Sequence, residues 1–594
     1  MKYAELFFGL LLFGLGFLFF RHAAVLAISA GIGIFLFGMI SLENGFKAFS
    51  GGLLETLLKR STNTLSKSLT FGALATALMQ SSSLVSVLTI SFLSAGLITL
   101  LAGIGIIFGA NLGTTATAWL ISGLGVKIDI GVYALPMLTF GVIFILRKQE
   151  FYKGAGYILV GLGFIFLGIH TMKEGFESFK DIIDLTQYAI SGYKGVFIYI
   201  GFGVLITLIM QSSSASLVVT ITALSTGQIG YENALALAIG SNLGTTITAV
   251  LGSLGSNIDG KRLAVAHLIF NLTTGILAAV FIYQLVDIVA TLSDWVGIAP
   301  EDDALKLALF HTLFNLMGVL LMLPFIRPLV KFLEATIVLK TPLLQRTDDA
   351  IYLSDTALNA PQAAKEVLFQ ETQHLFVNAQ SIIAYAINIT PKDITSALSP
   401  EKVIALRAQP MNKNIEDLYE RKFKPIYSKI IDFAVRAGAN ASEADTLSIM
   451  DMRRATQRMA EAIKDAKHLQ PNMLRYLTSP NTFIKDEYDY IRISLIKHLR
   501  LLQEIMESKE EEALALSLGK VAQESKAFDV ISGRSLDTLI RENRITSTMA
   551  TSLMNDTAYA LSIATNVIGT AKILLTHNAF FTQTHEVIFA DELF

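Results

Sequence analysis

A polar tetrapeptide, glutamine followed by three serines, occurs twice within otherwise apolar sequence. The two copies are Gln80, Ser81, Ser82, Ser83 and Gln211, Ser212, Ser213, Ser214. A break in a membrane helix exposes backbone N–H groups, and the partial positive charge of the helix N-terminus that follows can hold an anion without a fixed cation. Serine suits that position because its hydroxyl can cap the helix and also donate to an oxyanion. The tetrapeptides therefore predict an oxyanion site.

A second polar motif follows each tetrapeptide after about thirty residues, as GANLGTT at 109–115 and GSNLGTT at 240–246. Its side-chain oxygens belong to Asn111, Thr114, Thr115, Asn242, Thr245 and Thr246. Such oxygens, with carbonyl groups freed by unwound helix, form sodium sites in transporters. Neither copy contains Asp or Glu, which agrees with a dianion neutralised by sodium rather than by arginine. We therefore expect these residues to bind sodium.

The two motifs lie in an internal duplication. Both recur at an offset of 131 residues, and aligning 72–120 with 203–251 makes 24 of 49 positions identical. A further segment, GMISLENGF at 38–46, resembles GIHTMKEGF at 168–176. One serine-rich turn would usually be a packing contact between membrane helices. Four motifs at one common offset instead favour a transporter site at the interface of two repeats.

The flanks of each tetrapeptide predict a re-entrant helical hairpin. At about 1.5 Å per residue, each arm of the first copy is too short to cross a ~30 Å hydrocarbon core. An odd number of crossings between the copies would give the repeats opposite orientations. The glutamines offer both donors and an acceptor, so they could join each hairpin to the opposite repeat.

Composition separates a membrane part from a soluble part. The chain has 594 residues, 52% hydrophobic residues and a mean hydropathy of +0.54, and charges become frequent after Arg346. The predicted domains are an extra N-terminal membrane helix (1–22), repeat 1 (23–150), repeat 2 with two following membrane helices (151–345) and a helical domain (346–594). The basic residues Arg327, Lys331 and Lys340 place that last domain in the cytoplasm under the positive-inside rule.

Several classes of function are disfavoured. The chain has no cysteine, which excludes disulfides and thiolate metal sites. No block of Lys or Arg suggests nucleic acid, and no nucleophile–base set or Walker motif suggests an enzyme. Two related segments, HLIFN at 267–271 and HTLFN at 311–315, carry His267 and His311, which we interpret as hydrogen-bonded structural residues.

The paired QSSS segments, each followed by G-x-N-L-G-T-T, resemble the type II sodium-dependent phosphate cotransporter family. The likeness covers about residues 28–335. The tail from Ser354 (SDTALNAPQAAKEVLFQE) is similar to the linker and first helix of the PhoU-like domain of many bacterial members. The resemblance implies an all-α membrane protein with two inverted repeats, each with a re-entrant helical hairpin and a broken helix, plus a C-terminal soluble helical-bundle domain.

The resemblance also implies sodium-coupled movement of inorganic phosphate by alternating access in the cell (inner) membrane. It assigns all eight tetrapeptide residues to the phosphate site. It also assigns Gln80, Ser83, Gln211 and Ser214 to the sodium site. No cofactor is expected, sodium being a co-transported ion. The acidic motif of PhoU-like domains is replaced by DMRRATQ at 451–457, so a cytoplasmic regulator is a better partner for the tail than a metal. Alternatives are a phosphate exporter, a carrier of another oxyanion, or a membrane-anchored regulatory adaptor.

Overall fold

The structure, a computed structural model, describes residues 13–50, 58, 62–125, 131–180, 190–338, 348–439, 441–507 and 536–576. All regular elements in these ranges are helices. The chain divides into two compact units: the first comprises Met1–Leu339 and Ser354–Ala360, the second Lys340–Leu353 and Pro361–Phe594. Of the predicted N-terminal helix, residues 13–21 are helical, and the rest lies outside the described residues.

The first unit contains fourteen described helices that we number here. They are α1 (Ala23–Ser50), α2 (Leu65–Met79), α3 (Ser82–Ser94), α4 (Leu100–Gly113), α5 (Thr115–Leu120), α6 (Gly131–Ile145), α7 (Glu150–Lys180), α8 (Gly192–Met210), α9 (Ser213–Ser225), α10 (Tyr231–Gly252), α11 (Ile258–Val280), α12 (Ile282–Val296), α13 (Asp303–Met322) and α14 (Ile326–Thr336). Within the described ranges, eight helical stretches are long and apolar enough to cross a membrane, and seven of them lie in this unit. The chain is an all-α membrane protein, as the sequence predicts.

Helices α1 and α7 pack against each other through glycines spaced seven residues apart. A Cβ atom on Gly38 would lie 2.6 Å from the backbone nitrogen of Ile165, and one on Gly168 would lie 2.6 Å from that of Phe35. Gly31 faces Met172, so the helices run antiparallel. Because α1 and α7 carry the related segments at 38–46 and 168–176, this is the arrangement that inverted repeats require.

Each QSSS tetrapeptide separates two helices, α2 from α3 and α8 from α9. The first helix of each pair packs tightly on the helix that carries the GxNLGTT motif. A Cβ on Gly109 of α4 would lie 2.0 Å from the Leu69 carbonyl oxygen, and one on Gly240 of α10 would lie 2.1 Å from that of Ile200. Small residues permit such close approach between membrane helices. The two halves therefore share one packing arrangement around their tetrapeptides.

A short 3₁₀ helix, Asp355–Asn359, packs on α3 within the first unit. The Ser91 hydroxyl of α3 donates to the Thr356 carbonyl oxygen at 2.6 Å, and the Ser354 hydroxyl donates to that of Gly255 at 3.1 Å. The chain enters the next helix at Pro361. The C-terminal end of α3 is thus hydrogen-bonded to the segment that leads into the second unit.

The second unit is a helical assembly with a buried apolar core. Its described helices are α15 (Pro361–Ala386), α16 (Pro391–Ile394), α17 (Pro400–Leu406), α18 (Ile415–Leu418), α19 (Lys424–Gly438), α20 (Glu443–Leu477), α21 (Thr482–Glu507) and α22 (Ser547–Thr576). Three apolar residues at a seven-residue spacing on α15, Leu368, Leu375 and Ile382, are fully buried. The long helix α20 packs on α15, α19 and α22. The likeness to PhoU-like domains stays a prediction.

Replacing Gly203 by alanine should lower the thermal unfolding midpoint of the detergent-purified protein. The new Cβ would lie 2.3 Å from the Leu237 carbonyl oxygen, which would push α8 away from α10, and overpacking of this kind costs about 1–3 kcal/mol. Gly201 lies on the same helix with nothing within 4 Å of its Cβ position. The matched control Gly201→Ala should therefore leave the midpoint unchanged or raise it slightly. Equal midpoints for the two variants would contradict the described packing.

Candidate functional site

The two tetrapeptides form turns with the same backbone geometry. Gln80 and Gln211 both adopt the left-handed conformation, each with φ 53°, which is costly for a residue with a side chain. The next residue is extended, and its hydroxyl caps the following helix: Ser81 accepts from the Leu84 N–H at 3.3 Å and Ser212 from the Ala215 N–H at 3.2 Å. The first amides of α3 and α9 have no intrahelical partner.

Both turns open onto one cavity of about 450 Å³. All eight tetrapeptide residues line it, and further polar groups come from Glu43, Ser86, Thr245, Thr248 and His267. The structure therefore brings together two turns that the sequence separates by 131 residues.

The cavity has the chemistry of an anion site without a fixed cation. Among the described residues, its wall carries no Lys or Arg, and its one acidic residue is Glu43. Two helix N-termini and several hydroxyls can donate hydrogen bonds to a compact anion. The charge of a bound anion would then have to be neutralised by mobile cations.

The two turns are held differently. The Oε1 atom of Gln80 accepts a hydrogen bond from the Thr117 hydroxyl at 2.8 Å. Thr248 is the counterpart of Thr117, but its hydroxyl donates at 2.7 Å to the Thr245 carbonyl oxygen in its own helix. The Gln211 side chain is exposed on the cavity wall. The expectation that the glutamines join opposite repeats is wrong for Gln80, because its partner lies in the same repeat.

The predicted sodium ligands of the GxNLGTT motifs are distributed unevenly. Thr245 lines the cavity. The other five lie elsewhere in the unit: Asn111, Thr114, Thr115, Asn242 and Thr246. The Thr114 hydroxyl, for example, donates to the Asn111 carbonyl oxygen at 2.6 Å. Their assignment to sodium stays a prediction.

The predicted helix break is reduced to one residue in the first copy and is absent from the second. In the first copy α4 ends at Gly113 and α5 begins at Thr115, but Thr114 keeps right-handed helical angles (φ −63°, ψ −22°) and its N–H donates to the Ala110 carbonyl oxygen at 3.1 Å. In the second copy α10 runs without interruption from Tyr231 to Gly252. The hydroxyl of Thr246 donates at 2.6 Å to a carbonyl three residues earlier in α10. Such back-bonding lets a polar residue remain inside a helix, so a polar motif need not break it.

The second histidine segment contributes to a buried network. The Asn242 amide donates to the Oδ1 atom of Asn315 at 2.9 Å, and the His311 Nε2 atom lies 3.3 Å from the Oδ1 atom of Asn242. The network joins α13 to the GxNLGTT helix α10. This agrees with the interpretation of His311 as a hydrogen-bonded structural residue.

The sequence-predicted site lacks four polar residues of the cavity wall: Glu43, Ser86, Thr248 and His267, the last of which the sequence suggests is structural. Thr248 could have been found, because it is identical to Thr117 in the internal alignment. Glu43 and Ser86 carry no such signal, since the aligned counterpart of Glu43 is a lysine and that of Ser86 is a leucine. Their position on the wall follows from how α1 and α3 pack.

The chain is similar to known phosphate transport proteins. The sequence model of the Na+/Pi-cotransporter family matches residues 34–174 and 185–293. The "Putative inorganic phosphate export protein YjbB" of Escherichia coli (strain K12) is 28% identical over 350 residues, which are 59% of this chain and 62% of that protein. The "Uncharacterized protein YqeW" of Bacillus subtilis (strain 168) is 30% identical over 251 residues, 42% of this chain and 79% of that protein.

A shorter match is to the "Sodium-dependent phosphate transport protein 2C" of Rattus norvegicus, 36% identical over 87 residues, or 14% of each chain. No solved structure matches.

Replacing Thr117 by valine should destabilise the protein, because Gln80 would lose the donor that its Oε1 atom now has. The loss of one such hydrogen bond costs about 1 kcal/mol, measurable as a lower unfolding midpoint. Thr248→Val is the matched control, because it is the same isosteric change at the counterpart position and removes only a bond within one helix. A drop of the same size in both variants would contradict a specific role for the contact between Gln80 and Thr117.

Proposed function

Because the chain belongs to the Na+/Pi-cotransporter family, we propose that it moves inorganic phosphate across the membrane together with sodium. The observation that carries this proposal is the single cavity lined by both tetrapeptides. Phosphate would bind between the two turns, at Gln80, Ser81, Ser82, Ser83, Gln211, Ser212, Ser213 and Ser214.

The anion would be held by neutral donors. Free amides at the start of α3 and α9 face the cavity together with the serine hydroxyls, and each helix N-terminus contributes a partial positive charge. Ser213 and Ser214 are buried, whereas Ser83 is exposed. An anion could therefore enter past the first turn and be desolvated against the second.

Sodium would supply the missing positive charge. Side-chain oxygens of Gln80, Ser83, Gln211, Ser214 and Thr245 share the cavity wall, so cations could bind next to the anion and neutralise it. The rat relative carries sodium-dependent phosphate transport in its name. Each net positive charge moved inward would add about 2.3 kcal/mol of driving force per 100 mV of membrane potential.

Alternating access fits the duplicated packing. The pairs α2–α4 and α8–α10 have equivalent glycine contacts, and α1 and α7 form an antiparallel pair. Two related halves of opposite orientation can expose a central site first to one side and then to the other.

Phosphate export is the second candidate function. The name of the Escherichia coli relative favours it, although the chain spans only 62% of that protein. The same cavity could serve either direction, because ion and phosphate gradients set the net flux of a coupled carrier.

The second unit would be a cytoplasmic regulatory domain. Two basic residues of α14, Arg327 and Lys331, follow the last apolar helix of the first unit. They favour a cytoplasmic location for the second unit. The segment Asp355–Asn359, which packs on α3, is continuous with α15. A regulator bound by the second unit would thus be connected along the chain to a segment that is hydrogen-bonded to the first hairpin.

Replacing Ser82 or Ser213 by alanine should abolish sodium-driven phosphate flux in proteoliposomes. Each change removes a hydroxyl from the cavity wall and leaves the turn residues before it intact. Ser225→Ala is the control, because Ser225 lies at the other end of α9, where its hydroxyl bonds to the Thr222 carbonyl oxygen. Unchanged flux in both cavity variants would remove the tetrapeptides from the site.

The same vesicles distinguish the candidate functions. An inward sodium gradient should accelerate uptake of labelled phosphate relative to an equal gradient of potassium or choline. Efflux from preloaded vesicles without dependence on sodium would instead support the exporter, and no phosphate movement in either direction would reject both.

A further inference from the structure

The two histidine segments, HLIFN on α11 and HTLFN on α13, are in contrasting states. In the second, Asn315 and His311 both bond to Asn242 of α10. In the first, neither ring nitrogen of His267 and neither amide atom of Asn271 has a hydrogen-bond partner within the part of the chain that the structure describes, although the two residues are only 6% and 1% exposed. The expectation that His267 is hydrogen-bonded is therefore wrong. Buried polar groups in native proteins are nearly always paired, so this open pair is a candidate for contact with a ligand.

The open pair lies on a helix that packs on both GxNLGTT helices. Phe270 of α11 packs on Phe108 of α4 with ring centroids 4.2 Å apart, and α11 and α13 both contact α4 and α10. Asn111, the counterpart of Asn242, instead donates its amide to the Ile107 carbonyl oxygen of its own helix at 3.0 Å. Nothing in the helix pairing itself uses His267.

His267 also contributes to the wall of the cavity that both tetrapeptides line. Both of its ring nitrogens are buried, so a rotation of the side chain is needed to bring one of them to a ligand in the cavity. At neutral pH, phosphate keeps at least one P–OH proton, so a site specific for phosphate needs one hydrogen-bond acceptor among its donors. The Oε1 atom of Gln80 already accepts from Thr117, the side chain of Gln211 is exposed, so water competes for its Oε1 atom, and the carboxylate of Glu43 would repel a dianion. A neutral imidazole can accept without adding negative charge.

We propose that His267 is a specificity-determining residue, whose ring nitrogen accepts the P–OH hydrogen bond of hydrogenphosphate. The inference rests on the proposed function, and it specifies which anions the same cavity would bind best. Anions with a protonated oxygen, phosphate and arsenate, are favoured. Sulfate and monofluorophosphate, tetrahedral dianions without a proton, are disfavoured because the acceptor would be left unpaired beside them.

The test measures equilibrium binding of labelled phosphate to the full-length protein in detergent, with competition by arsenate, sulfate and monofluorophosphate. In the unaltered protein, arsenate should compete nearly as well as phosphate, and monofluorophosphate at least about tenfold less well. Monofluorophosphate competing as well as arsenate would overturn the proposal without any substitution. This arm does not depend on whether a variant folds.

Variants then assign the acceptor. His267→Phe should weaken phosphate binding about tenfold or more and leave sulfate binding unchanged, so the preference for phosphate over sulfate collapses. His267→Gln, which keeps an acceptor oxygen, should restore most of that preference. His311→Phe is the matched control: it breaks the network at Asn242 and should leave the ratio of the two affinities unchanged.

Two results would contradict the assignment. The first is a ratio of phosphate to sulfate affinity that stays unchanged in folded His267→Phe. The second is loss of that ratio in Glu43→Gln but not in His267→Phe, which would make the Glu43 carboxylate the acceptor. If the unaltered protein binds no phosphate at all, it is the proposed function that fails. If the protein binds phosphate but does not discriminate against anions that lack a proton, only the proposed role of His267 is rejected.

Discussion

A helix that begins inside an apolar unit leaves backbone amides that must find partners, and this constraint organises the first unit. At each QSSS turn, a left-handed glutamine ends one helix and a serine caps the next. The cap satisfies only part of the exposed N–H groups. Because both turns face one cavity, their remaining donors converge on the same space. The proposed phosphate, with several acceptor oxygens, would accept hydrogen bonds from them there.

Close helix packing keeps these turns in place. Glycines at counterpart positions, Gly109 and Gly240, let the first hairpin helix approach the GxNLGTT helix in each half. The antiparallel pair α1 and α7 uses glycines spaced by seven residues in the same way. The glycine contacts of α4 and of α10 each lie within one half and hold that half together, whereas the contact between α1 and α7 joins the two halves.

The two halves nevertheless differ where their polar side chains meet neighbours. Gln80 is held by Thr117, whereas Gln211 is exposed on the cavity wall. The end of α3 is bonded to Thr356, and the histidine network is closed beside α10 but open at His267. A duplicated scaffold thus carries an asymmetric lining, as expected of a site that must bind and release an asymmetric set of ions.

The sequence alone determined the duplication, the all-α membrane character and the identity of the two turns, because apolar runs and repeated motifs are local patterns that a fixed offset makes visible. It also suggested breaks at both GxNLGTT motifs, yet α10 is continuous and only Thr114 separates α4 from α5, because the threonines of both copies bond back to carbonyl groups of their own helices. Only the tertiary structure decided that Thr245 lies on the cavity wall while Asn111 does not, and that His267 has no partner. The physical reason is that a polar side chain's partner is set by which helix packs beside it, and the sequence pattern of one helix does not contain that information.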